Sequence, residues 1–495
     1  MKLWNLLHGV PLAGEYPDQD VEITSISYDT RTLEQGALFV ALPGARADGA
    51  DYIREALERG AAAVLGETPP EGENWFQTPD ARRALALVSA NWFGHPGEEL
   101  TLIGVTGTNG KTTTTCLIQE MLERVLNTRA GLIGTIENRI GPLTIPARRT
   151  TPESYEVQSL LRQMADAGCT HVVMEVSSHA LVQRRVEGLT FDVGVFTNLT
   201  QDHLDYHRTM EAYRDAKGLL FRQCRTAVLN LDDEAGRWYR ERVDCPVFTY
   251  SENKDFADLT AKNIRLFPGH VEFEAVTPRE IQRVHLPIPG GFTIYNALAA
   301  ASSGLCLGLE LGEIAAALRC AHGVKGRVEV VPTPTAYTVL IDYAHTPNAL
   351  ENVLLTARDL TAGRLICLFG CGGDRDKTKR PLMGAVVREL ADTAVVTSDN
   401  PRTEAPWAII QDILAGMTGP GGEVHIEPDR PAAIRWALSQ GQPGDVIVLA
   451  GKGHETYQEV NGVQHHMDER EIVADYFEKR AHRRERAGNL PAGVV

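Results

Sequence analysis

The residues of this chain best suited to chemistry are a lysine and its neighbouring hydroxyls behind two spaced glycines, in the run Gly107-Thr108-Asn109-Gly110-Lys111-Thr112-Thr113. Glycine at 107 and 110 lets backbone N–H groups converge on phosphate oxygens, Lys111 suits the terminal phosphates, and the Thr112 hydroxyl suits Mg2+. The spacing departs from the generic phosphate-loop pattern: Val105 stands five residues before Gly110, and the additional glycine, Gly104, falls one residue earlier. The apolar LTLIGV run precedes the loop, and Leu117, Met121, Leu122 and Val125 recur after it at helical spacing. That is strand, turn and helix, with the partial positive charge of the helix N-terminus aimed at an anion. A nucleoside triphosphate is the ligand this arrangement predicts.

A second group follows at a distance. Glu175 in EVSSH, His203 in NLTQDHLDYH and Lys217 in YRDAKGLLF fall just after apolar runs or on the next helix. Glu175 and His203 are candidate Mg2+ ligands around a triphosphate, since hard cations favour oxygen and accept imidazole. From spacing alone, His203 reads equally as a structural histidine near a helix cap. His203 and His207 lie one helical turn apart, but the glutamate of a zinc-type HExxH motif is missing, with Leu204 in its place. Taken singly, Lys217 reads as a surface lysine.

The elements that must position these groups form an α/β protein. At 495 residues the chain exceeds what one core supports, and three regions emerge: 1–95, 96–328 and 329–495. The first carries the short strand candidates ITSISYDTR, ALFVALPG and AAAVLGE with the helical DYIREALERG, a small α/β module. The second adds THVVMEVSS, FDVGVFTNL and TAVLNLDD to the phosphate loop, predicting a central parallel sheet of the ATPase type. In the third, YTVLIDYAH, RLICLFGCGG, TAVVTSDN and DVIVLAGKG are apolar strands that end in polar or glycine-rich residues, the pattern of a Rossmann-like sheet with ligands at its C-terminal edge.

Composition narrows the partners. A formal charge of −16 argues against a nonspecific grip on nucleic acid or anionic lipid. The eight cysteines form no CxxC pair and read as buried thiols in a reducing compartment. Asn5 and His8 interrupt the opening leucines before they make a signal core, and no segment approaches the roughly 20 apolar residues of a membrane span. A cytoplasmic, monomeric protein acting on small molecules is expected.

The ordered set TGTNGKTTT, EVSSH, NLTQDHLDYH, NLDDE, DYAHTP, DNPRTE and GKGHE resembles the Mur ligases, ATP-dependent amide ligases of peptidoglycan precursor synthesis, along essentially the whole chain. The resemblance implies three domains, for a uridine nucleotide, ATP and an incoming amino acid. It implies ATP and Mg2+ at Gly107 to Thr113, with further nucleotide contacts from Asn296, Arg327, Asp342 and His345. Lys217 falls on the family's carbamylated lysine, which changes its reading from surface residue to metal ligand. Thr112, Glu175, His203 and Lys217 thus become the metal set, and Lys111, Glu175, His203 and Lys217 the catalytic set.

The same resemblance places the UDP part of the substrate at Tyr28, Thr30, Ala45, Arg46 and Ala47, and its muramoyl-dipeptide part at Thr150, Thr151, Ser177, Gln183 and Arg185. Asp399, Asn400, Pro401 and Arg402, with Arg375, Gly451 and Glu455, would receive the incoming amino acid. Arg402 can clasp a second carboxylate bidentately, which favours meso-diaminopimelate over lysine as the residue added to UDP-N-acetylmuramoyl-dipeptide. By itself, DNPR also reads as a strand-ending turn. The competing readings are a lysine-adding relative, a folylpolyglutamate synthase-like ligase, a phosphate-loop switch or motor, and a non-catalytic scaffold.

Overall fold

The structure, a computed structural model, describes residues 1–14, 21–44, 47–69, 71–267 and 269–488, with side chains described to 480. Three α/β layers follow one another along the chain. The first is a four-stranded parallel sheet, in sequence order, of Ile26–Ser27, Leu38–Val40, Ala63–Gly66 and Trp75–Gln77. Helix Ala81–Phe93 covers it through Ala84, Leu85 and Val88, and leads to the second layer. Asp80 caps that helix by accepting from the Arg83 N–H, and Gly94 ends it at φ +71°.

The second layer is an eleven-stranded sheet whose centre is parallel. Strand Thr101–Thr106 lies between Cys169–Glu175 and Phe191–Phe196, with Val105 level with both Glu175 and Val195. This register brings the ends of three strands together: the phosphate loop emerges with Glu175 on one side and Thr197 on the other. Both ends of the sheet continue as antiparallel ribbons, Glu137–Ile140 with Leu143–Pro146 and Leu259–Phe267 with His270–Val276 and Ile281–Leu286. The expected parallel sheet is therefore its heart. Ribbon strands such as Glu137–Ile140 and His270–Val276 alternate buried and outward residues instead of forming the unbroken apolar runs by which the central strands were read.

Helix Lys111–Leu126 packs against the alanine-rich helix Phe292–Cys306, and Leu117, Ile118, Met121 and Leu122 join Ala297 to Ala301 in one core with the sheet. Each such fully buried Leu or Ile contributes about 1.5–3 kcal/mol, enough to hold the phosphate loop on a rigid base. The third layer has strand order Glu329–Val331, Thr338–Asp342, Val446–Ala450, Leu365–Phe369, Thr393–Val396, Glu423–Ile426, all parallel except the first. Asp342 and Ala450 end level, so the residues that follow these strands gather on one edge. The cysteines depart from the sequence reading. Cys116, Cys169, Cys367 and Cys371 are buried, whereas Cys320 is exposed and Cys224, Cys245 and Cys306 are partly so.

Candidate active site

The phosphate loop owes its shape to two glycines that tolerate no side chain. Gly107 has φ +148° and a Cβ there would run into the Thr197 hydroxyl; Gly110 has φ +84° and a Cβ would meet Asn296 Oδ1. Gly104 plays a different part from the one its place in the motif suggests. It lies within the strand, where a Cβ would stand 2.9 Å from the Phe191 ring, so it serves packing and not phosphate contact. The Lys111 ammonium donates to the carbonyls of Gly107 and Thr108 at 3.0 and 2.9 Å, and desolvation lowers its pKa, with Glu175 acting in the opposite direction.

Thr108, Asn109, Gly110, Lys111, Thr112 and Thr113 share a cavity of about 210 Å3 with Glu175, His203, Asn296, Arg327, Asp342 and His345. Residues more than 200 positions apart in sequence thus converge where the second and third sheets face each other. Glu175 is 1% exposed and accepts from Thr112 Oγ1 at 3.1 Å, Thr135 Oγ1 at 3.0 Å and the Thr135 N–H at 2.8 Å. Arg327 donates to Thr112 Oγ1 at 3.2 Å and lies over the Tyr343 ring at 4.7 Å. Asp342 accepts from the Val328 N–H at 2.7 Å, and burial raises its pKa.

Lys217 lies behind this cavity, 1% exposed, with its amine donating to the Gly107 carbonyl at 2.7 Å and sitting 4.3 Å from the Tyr213 ring centroid. Desolvation, then the charge of Lys111, holds its pKa well below the lysine range. The ordinary surface lysine is excluded: a buried amine biased towards its neutral form is a nucleophile. His203 flanks the same tyrosine, 6.1 Å between ring centroids, and desolvation pushes its pKa down to about 3. It sits at the start of helix Leu204–His207 in a left-handed conformation, φ +55°, with Nε2 3.4 Å from Asp202 Oδ2. His207 turns away from a joint metal site with His203, hydrogen-bonding Ser178 Oγ at 2.9 Å and stacking on Tyr213.

Thr150 also lines this cavity, and the other predicted residues fall into three groups, one in each layer. Thr150 Oγ1 accepts from Thr135 Oγ1, Thr151 Oγ1 donates to the Glu175 carbonyl at 2.7 Å, and Ser177 caps helix Ser178–Val182. Arg185 donates to the Thr151 carbonyl at 2.9 Å and to Gln183 Oε1 at 2.7 Å. In the third layer, Arg402 donates to Glu459 Oε2 at 3.0 Å and the Gly373 carbonyl at 2.8 Å, with φ +52°. Glu455 accepts from Asn400 at 2.9 Å and Lys452 at 2.7 Å, while Gly451, at φ +112°, lies against Asp399. Pro401 leads into this turn, and Arg375 flanks Gly372 with Arg402. In the first layer, Thr30 is buried and Tyr28 donates to Glu156 Oε1 at 2.5 Å, away from the cavity. Of the adjoining loop, Ala47 is packed on Gly44, while Ala45 and Arg46 lie outside the described residues.

Sequence reasoning left several central groups unassigned. Asp202, 4% exposed, takes Lys379 at 3.2 Å, His203 at 3.4 Å and His345 at 3.6 Å, joining the second sheet to the third. Glu153 gathers Arg149 at 2.7 Å, Arg185 at 3.0 Å and Arg82 of the first layer at 3.6 Å. Glu459 holds Arg402, and Lys452 holds Asn400 and Glu455 in the third layer. Asp202 and Lys452 stand inside the motifs NLTQDHLDYH and GKGHE, so the signal was present; Glu153 and Glu459 only adjoin theirs, and their partners are set by the fold.

Residues and sheets together define a class, the ATP-dependent amide-forming ligase. Comparison with known proteins makes the family specific. The chain matches the Mur ligase family catalytic domain at 22–91, the Mur ligase middle domain at 105–304 and the Mur ligase glutamate ligase domain at 326–453. A UDP-N-acetylmuramoyl-L-alanyl-D-glutamate–2,6-diaminopimelate ligase of Geobacillus kaustophilus is 44% identical over 96% of this chain and 98% of its own. A solved structure of a ligase with the same activity is 34% identical, covers 97% of this chain and 100% of its own, and superposes with a TM-score of 0.69. The MurF ligase of Thermotoga maritima, solved with ADP, has a TM-score of 0.64 at 21% identity, covering 94% of this chain and all of its own, and shares the fold. The chain belongs to the Mur ligase family.

Proposed function

We propose that the protein joins meso-diaminopimelate to the D-glutamate side chain of UDP-N-acetylmuramoyl-L-alanyl-D-glutamate, spending ATP, in peptidoglycan precursor synthesis. One observation carries the choice of amino acid: the Arg402 guanidinium, anchored on Glu459 and Gly373 beside Arg375, is a fork suited to the second carboxylate that lysine lacks. The division 1–95, 96–328 and 329–495 assigns the UDP part, ATP and diaminopimelate to successive layers, and the chain works as a cytoplasmic monomer. No helix among the described residues is long and apolar enough to cross a membrane.

The residues at the loop fit a triphosphate and its metal. Gly107 and Gly110 leave a cradle that Cβ atoms would fill, and the buried Asn296 Nδ2 faces the cavity without a partner among the described residues. Thr112, Glu175, His203 and the carbamate of Lys217 form a donor set of oxygens and one imidazole, on which Mg2+ would neutralise charge spreading over the phosphoryl oxygens. The carbamate forms when the neutral Lys217 amine adds to CO2 and loses a proton. Its desolvated position supports that step, and the product is an anion where an ammonium would repel a cation.

Catalysis then proceeds by acyl-phosphate ligation. The glutamate side-chain carboxylate attacks the γ-phosphorus of ATP, ADP leaves, and Lys111 holds the charge on the transferring group. The neutral amine of diaminopimelate attacks the acyl carbonyl, loses a proton, and the tetrahedral intermediate collapses to amide and orthophosphate. Contacts between the second and third layers, Asp202 with Lys379 and Gln201 with Thr378, favour exclusion of water that would hydrolyse the acyl phosphate. The test is an amino-acid panel with the UDP-dipeptide and ATP, reading phosphate release and product mass. Diaminopimelate should outcompete lysine by orders of magnitude; equal use of both would refute the assignment.

A further inference from the structure

The far ribbon of the eleven-stranded sheet carries a cluster that the ligation does not use. Strands His270–Val276 and Ile281–Leu286 pair antiparallel with Glu272 opposite His285, and His270, two residues before Glu272, shares its face. Val271, Phe273, Val284 and Leu286 are buried on the opposite face. The register that builds the core therefore sends two imidazoles and a carboxylate outward together.

Their geometry is convergent. His270 Nε2 lies 3.8 Å and His285 Nδ1 3.4 Å from Glu272 Oε1, and one ligand atom from each residue lies within 4.8 Å of the others. The three side chains are 27–32% exposed, so they are partly enclosed by the ribbon. Phe267 stacks on His270 at 4.4 Å and 9°, restricting the ring, and the two imidazole centroids are 4.4 Å apart. A plain cross-strand hydrogen bond between His285 and Glu272 explains one histidine; it does not explain a second, ring-stacked one aimed at the same oxygen. In the register Arg265 faces Glu272 from the neighbouring strand, a competing partner on the same face.

We propose that His270, Glu272 and His285 form a binding site for a divalent ion of the zinc class, which ties together the two outermost strands of the ribbon. Two imidazoles and one carboxylate leave a coordination position for water, a donor set that zinc takes readily and Mg2+ does not. With bonds of about 2.0–2.1 Å, neighbouring ligand atoms of a tetrahedral shell stand roughly 3.3 Å apart, so two of the separations need changes of at most about half an ångström. None of the three residues lines the phosphate-loop cavity, and the proposal is independent of the ligase reading.

The test uses the untagged full chain, stripped with chelator and held in excess Mg2+, titrated calorimetrically with zinc chloride beside His285→Ala and Glu272→Gln. The unmodified protein should show a zinc event whose affinity drops at least about tenfold in both variants, while Mg2+-supported ligation stays within about twofold. Zinc absorption spectra should report two imidazoles in the unmodified protein and one in His285→Ala. Should His285→Ala fail to fold, Glu272→Gln decides. No zinc binding by the unmodified chain, or binding equally tight in the variants, would overturn the site.

Discussion

At the scale of single residues, the account rests on Lys217 as an amine made reactive by burial. Burial, and then the nearby charge of Lys111, favour the neutral form of this lysine, and only a neutral amine captures CO2. Lys217→Ala and Lys217→Arg should each lower kcat by about 10^3 or more, since arginine keeps a cation but forms no carbamate. Labelled bicarbonate should give a carbamate carbon signal in the unmodified protein and none in either variant; full activity of Lys217→Arg would remove the carbamate from the account. Glu459 makes a second residue-scale case. Glu459→Gln weakens the charge-assisted bond that orients Arg402, so KM for diaminopimelate should rise about tenfold with kcat little changed. Steady-state kinetics with diaminopimelate and lysine would check this, and the preference between them should narrow.

At the scale of elements, the sequence was most legible where one strand leads into one loop. The run into Gly107, the helix from Lys111 and the four apolar strands of the third sheet are found where periodicity and turn residues put them. The antiparallel ribbons were not legible, because their alternating strands carry half the apolar signal of a buried parallel strand. The reason for glycine at 104 was not legible, because its constraint, the Phe191 ring, comes from a strand some ninety residues on. The loop's own requirement is testable at Gly110. Gly110→Ala places a methyl group against Asn296 in a left-handed backbone, a strain of about 1–3 kcal/mol at the turn that shapes the phosphate cradle. KM for ATP should rise about tenfold or more, with a lower thermal midpoint from the strained turn; an unchanged KM would mean that the turn relaxes freely.

At the scale of the whole molecule, charge joins the layers. Asp202 holds Lys379 of the third layer, and both are buried, so Lys379→Met leaves the carboxylate with only His203 and His345 beside it. Scattering should show a larger radius of gyration and kinetics a fall in kcat; neither change would follow if the layers were held by apolar contact alone. No motif foretold this pairing, because Asp202 and Lys379 meet only once the second and third sheets are in place. Acid should loosen the assembly in a defined window. Burial pushes the pKa of His179 and His207 down to about 4 and that of His454 to about 3, against 6.5 as the ordinary value. The unfolded chain then takes up protons first, so their contribution to stability is complete above about pH 6.5 and is lost as pH falls towards 4 and below. Denaturation midpoints should drop through that range, less steeply in His454→Gln. The central claim, that a carboxylate is activated by phosphoryl transfer before the amide forms, is tested most directly by labelling the glutamate side-chain oxygens of the UDP-dipeptide. The account predicts one labelled oxygen in each orthophosphate released with product; orthophosphate free of label would contradict it.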